Sequence, residues 1–186
     1  TKSGTGSISS TGAFNATGNV NLAANITTTN TDLTIGGNLV IAEGTAPTLS
    51  TGAGAGHILV TGTTNGTAGG AAESLTVLAG TGNVTFTGNV GNNTDALELE
   101  ALTVTSAATT LFSGKIELAN ALTQSAGSVA TTFNDTVNVG SAALTGTAYN
   151  LNNSFSSGGA TTITNSGTLT KSGTGSISST GAFNAT

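Results

Sequence analysis

The sequence predicts an all-β fold: a parallel β-helix, or solenoid, with coils of about 24 residues and three short strands in each. Three observations carry this. Residues 1–17, TKSGTGSISSTGAFNAT, return unchanged as residues 170–186. Between them, apolar residues flanked by small polar ones recur at solenoid spacing. The composition, with 39 Thr, 19 Ser, 19 Asn and 28 Gly among 186 residues, favours strands and turns over helices. β-Branched Thr suits a pleated surface, and Gly and Asn suit tight corners.

Seventeen identical positions at an offset of 169 residues (170 − 1) do not persist by chance, so residues 1–169 read as one tandem unit and residues 170–186 as the start of the next. The recurrent apolar anchor is read at Phe14, Val40, Leu59, Phe86, Phe112, Phe133 and Phe155, and the next unit resumes it at Phe183. These spacings run from 19 to 28 residues, and seven coils fill the unit. A second series, Leu75, Leu102, Leu122 and Leu144, precedes Phe86, Phe112, Phe133 and Phe155 by 10 or 11 residues. A third, Val90, Ile116 and Val137, follows Phe86, Phe112 and Phe133 by four. Each series is expected to form a ladder inside the coil, with the intervening Thr, Ser and Asn facing water. Stacking at the inter-strand spacing of ~4.8 Å gives a rise of about 34 Å per unit. Residues 62–73, rich in Gly and Thr, are expected to bulge as a loop. A row of β-sandwich domains is the rival architecture. The inner period and the steady Leu-to-Phe interval disfavour it, as does a single Tyr149 with no Trp.

Composition also restricts function. Eight acidic and three basic residues leave a net charge of −5, and none of the basic residues is Arg. Without a basic stripe to neutralise phosphates, nucleic acid is not an expected partner. No run of about 18 apolar residues is present to cross a membrane as a helix. Cysteine is absent, which removes disulfides and thiolate chemistry.

Runs such as LTVLAGTGNVTFTGNVG (75–91) and LTVTSAATTLFSGKIELANALTQSAGSVATTFNDTVNVG (102–140) resemble the strand repeats of large bacterial surface proteins, the filamentous-haemagglutinin-like and autotransporter-passenger type. The resemblance implies a secreted, elongated, right-handed β-helix at the cell surface, acting in adhesion, cell–cell contact or an outer coat. It brings no catalytic or ligand motif with it. The expected partners are further copies of the chain, end to end and side by side, together with cell-surface receptors or glycans. No cofactor is expected.

Individual residues offer few chemical candidates. Asp95, Glu98 and Glu100 are the densest acidic cluster, and Glu98 and Glu100 alternate with Leu97 and Leu99 on one strand face. Such carboxylates could hold Ca²⁺ or act as a glycosidase pair, although a solvated strand face is the plainer reading. Lys115 and Glu117 flank Ile116 as an exposed pair of small energetic value. His57 is expected where a corner enters a strand; one His among many Ser defines no triad, and the chain is not expected to be an enzyme. The eight Asn-x-Ser/Thr sequons follow from the abundance of these residues. Thr-x-Thr runs, at Thr61–Thr63, Thr85–Thr87, Thr103–Thr105, Thr162–Thr164 and Thr168–Thr170, raise an ice-binding surface as the alternative function. That alternative requires the pairs to share one flat column, whereas dispersal over three faces speaks for a structural role.

Overall fold

The structure is a computed structural model that describes residues 6–67, 72–92 and 99–186. The chain winds into an all-β parallel solenoid of about eight coils, with about 21 residues per turn and three strands per coil. The path visits three faces in turn. Face 1 begins with Ile8–Ser10, Ile26–Thr28 and Thr48–Ser50, face 2 with Phe14–Ala16, Leu33–Ile35 and Ile58–Val60, and face 3 with Val20–Leu22, Leu39–Ile41 and Thr64–Asn65. Each strand pairs in parallel with the strand one coil away on the same face. In later coils Ile116–Gln124 and Val137–Gly146 run from face 3 into face 1 without a break, so the two faces merge into one 11-stranded sheet there.

The strands form because two or three alternating residues are all that a face needs. In Ile26–Thr28, Leu33–Ile35 and Ile58–Val60 the outer two residues are buried and the middle one is half-exposed, the period-2 alternation of a pleated strand with one face inside. The inward residues form a single continuous core from Val20 and Leu22 to Ile163. A lone three-residue strand has no stability of its own. Here each one gains a neighbour above and below, and hydrophobic burial accumulates along the stack.

The ladders settle in columns fixed by backbone register. Leu75, Leu102 and Leu122 share a column on face 1. Val90, Ile116 and Val137 share one on face 3. Phe86, Phe112 and Phe133 share one on face 2, where the first two rings stack at 5.5 Å and the next two at 5.2 Å, both nearly parallel.

The remaining anchors fall elsewhere. Leu144 pairs with Gln124 in the neighbouring column of face 1, and Ala142 continues the leucines. Phe155 continues Val137 on face 3, while Leu151 continues the phenylalanines, so the Phe133 and Phe155 rings meet edge-on. Phe14 lies in the column of Leu33, Ile58 and Val84, and Phe183 pairs with Thr161 on face 1. Val40 and Leu59 are the outward residues of their strands; Leu39, Ile41, Ile58 and Val60 fill the core instead. The physical reason is that a Phe is only a large apolar group, which any inward column accepts. Coil closure is set by hydrogen-bond register across corners of unequal length: neighbours in the face 2 column are 26 residues apart between Val60 and Phe86 but 18 between Phe133 and Leu151. Coils therefore average fewer residues than the Phe spacing implies.

Candidate functional site

The corners are built from glycine and amide side chains. Ahead of face 3, Gly18-Asn19, Gly37-Asn38, Gly62-Thr63, Gly88-Asn89 and Gly114-Lys115 stack coil on coil. Asn19 Oδ1 accepts the Asn38 amide N–H at 2.9 Å, Asn38 Oδ1 that of Thr63 at 3.0 Å, and Asn89 Oδ1 that of Lys115 at 3.0 Å. Each side chain thus satisfies a corner donor that no strand ladder reaches. The glycines are required by the same geometry. A Cβ on Gly62 would point along the stack, 2.6 Å from the Gly37 carbonyl oxygen.

His57 belongs to the equivalent ladder ahead of face 2. Its amide N–H donates to Asp32 Oδ1 at 2.8 Å, and its Nδ1 accepts the Asn83 N–H at 2.9 Å. The tripeptide Gly-Asn-apolar, present at 18–20, 37–39, 82–84 and 88–90, is the sequence signal of these corners.

Glu100 accepts a hydrogen bond from Asn120 Nδ2 at 2.7 Å, an inter-coil bridge of the same kind. Its two companions in the acidic cluster, Asp95 and Glu98, lie outside the described residues. Among the described residues no group of three or more His, Cys, Asp or Glu side chains is placed to hold a metal ion, and none forms a helix long and apolar enough to cross a membrane.

The outward surface is largely hydroxyl and amide. On face 1, Thr48, Thr76, Thr103 and Thr123 stand in one register column, followed by Ala143, Thr162 and Asn184. The five Thr-x-Thr runs do not share a column: those at 103 and 162 lie on face 1, those at 85 and 168 belong to face 2, and Thr61–Thr63 is the corner between faces 2 and 3.

Several polar side chains sit inside, Tyr149 and Gln124 among them. Tyr149 is fully buried and Gln124 nearly so, and the Tyr149 hydroxyl and Gln124 Nε2 have no hydrogen-bond partner, although Gln124 Oε1 accepts from the Thr131 hydroxyl at 2.8 Å. Burial holds the phenol proton well above its ordinary value of 10.0. The folded form therefore keeps its proton in alkali where the unfolded form loses it, so stability is retained below pH 10.0 and declines above it. In an ultraviolet titration, phenolate is expected to appear only as the chain unfolds. Tyr149→Phe should abolish that alkaline slope and be neutral or stabilising by about 1 kcal/mol, because the lost hydroxyl is unpaired. Phenolate appearing near pH 10 with the circular dichroism intact would contradict the burial.

The two copies of the repeated segment are the most informative surface. In the first, Ile8–Ser10 lies on face 1 and Phe14–Ala16 on face 2, and both pair with the coil that follows, Ile8 with Ile26 and Phe14 with Leu33. In the second, Ile177–Ser179 lies on face 3 and Phe183–Ala185 on face 1, and both pair with the coil that precedes, Ile177 with Phe155 and Phe183 with Thr161. From Ile8 to Ile177 the chain advances through seven whole coils and two further faces, 23 strand positions in all.

Comparison with known proteins returns no match: no family model, curated protein or solved structure is significantly similar to the chain.

Proposed function

We propose that the chain is a structural repeat of a long extracellular fibre or surface protein, a filament, sheath or coat of the kind built by bacterial surface solenoids and used in cell-surface adhesion or cell–cell contact. The observation that carries this reading is the matched pair of ends: the same residues are folded into the stack from above in one copy and from below in the other. Open solenoid edges invite further strands, and a coil of the same chain satisfies them without leaving an aggregating edge. The faces support lateral packing, because Thr, Ser and Asn offer hydrogen bonds while few charges repel a neighbouring rod. Receptors or glycans would be met by such faces or by other parts of the fibre.

Electron microscopy of chains carrying one, two and four copies of the 169-residue unit tests the proposal. Seven and two-thirds coils at ~4.8 Å predict an increment of about 37 Å per copy. Side-by-side bundles would add support for a sheath or coat. Flexible beads with longer steps would overturn the proposal in favour of independent domains.

A further inference from the structure

The repeated segment shows, within one chain, both sides of a junction that neither copy shows alone. In the second copy the edge of Ile177–Ser179 and Phe183–Ala185 away from the stack has no partner strand among the described residues, and Phe183 is 40% exposed. In the first copy the identical residues carry Ile26–Thr28 and Leu33–Ile35 on that same edge, which half-buries Phe14. Backbone pairing is indifferent to which coil supplies the strand, and the inward residues Ile, Ser, Phe and Ala are the same in both copies.

We infer that the open edge of the last coil is a docking surface for a further copy of residues 18–169, entering with its Ile26 equivalent over Ile177 and its Leu33 equivalent over Phe183, and that each copy is turned by one third of a turn relative to the one before. This rests on the rod-forming reading above and adds the geometry of the joint. The turn follows from counting: 23 strand positions are not a multiple of three, so a residue on face 1 in one copy is on face 3 in the next, as Ile8 and Ile177 already are. Three copies, 23 whole coils, restore the phase after about 110 Å.

The consequence is a lateral surface with three equivalent sides. The face 1 threonine column, Thr48, Thr76, Thr103 and Thr123, would be presented to a different side in each successive copy. The partner that fits such a surface is a second rod of the same chain, met on three sides rather than one, and the ordering expected of a bundle is trigonal rather than a flat sheet.

Disulfide trapping in this cysteine-free chain tests the joint, since directly paired outward residues on neighbouring parallel strands lie ~4.8 Å apart, inside the reach of a disulfide. Thr162 is paired with Asn184 on face 1, whereas Thr170 stands on face 2. The double variant Thr162→Cys/Asn184→Cys should cross-link within one chain, and Thr170→Cys/Asn184→Cys should not. The reverse result would overturn the third-of-a-turn phase. In a chain extended by a second copy of residues 18–169, Asn184→Cys should cross-link to Cys at the Thr34 equivalent of the added copy, because Asn15 is paired with Thr34 in the first copy; failure there alone would overturn the docking. Thr85→Cys/Leu111→Cys, a central pair, reports the coil stack itself. If that pair also fails, the rod-forming reading falls with it; if it forms while the end pairs fail, only the joint is wrong.

Discussion

Phe112→Ala is expected to destabilise the solenoid by about 4 kcal/mol. The side chain is 1% exposed and stands between Phe86 and Phe133 in the middle of the stack. Removing it takes away the transfer free energy of a buried aromatic and leaves a cavity. Loss of two parallel ring contacts, at 5.5 and 5.2 Å, adds to this. The strands on either side cannot close the gap, because their separation is held by the backbone ladder. Denaturant unfolding followed by circular dichroism checks the value, and splitting of the transition into two is the accompanying sign, since a weakened central coil uncouples the halves of a repeat array. Phe112→Leu should recover most of the loss, given that Leu151 already occupies the next position of the same column. A cost below about 1 kcal/mol for the alanine variant would mean that the three rings do not share a core.

Gly62→Val is expected to cost about 3 kcal/mol by a different route. Here nothing is lost from the core; a Cβ is forced against backbone. The new atom would lie 2.6 Å from both the carbonyl carbon and the carbonyl oxygen of Gly37, and a main-chain carbonyl in a stacked corner has no rotamer by which to retreat. Gly62→Ala should be almost as harmful, because the Cβ itself makes the collision. Gly18→Ala is the control: it belongs to the same corner column, yet a Cβ there meets nothing within 4 Å because no described coil lies beneath it. Thermal unfolding of the three variants side by side should show two damaged chains and one close to the parent. Equal, small shifts in all three would mean that the corners are not stacked as described.

Both predictions bear on how the solenoid tolerates change. The outward residues are interchangeable within wide limits: face 2 carries Asn15, Thr34, Leu59, Thr85 and Leu111 in one outward column. The corner glycines packed against a neighbouring coil, Gly37, Gly62, Gly88 and Gly114, are not, and the inward residues can vary in shape but must stay large enough to fill the core.

What the sequence by itself determined is the class and the local rule. Alternation of period two in runs such as Leu75-Thr76-Val77 and Leu102-Thr103-Val104, with Gly and Asn between them, allows little except short strands and corners. Nearly equal offsets between Leu, Phe and Val in three successive segments already place Leu75, Leu102 and Leu122, and likewise Phe86, Phe112 and Phe133, in common columns. Only the tertiary structure decided where each coil closes. Backbone ladders pair without regard to side-chain identity, and corners of different length deliver the chain to the next face in the same register. The count of residues between two phenylalanines therefore does not count coils. Hence Phe155 leaves the aromatic column for face 3, Leu39 and Ile41 rather than Val40 face the core, and the same residues lie on face 1 as Ile8–Ser10 but on face 3 as Ile177–Ser179.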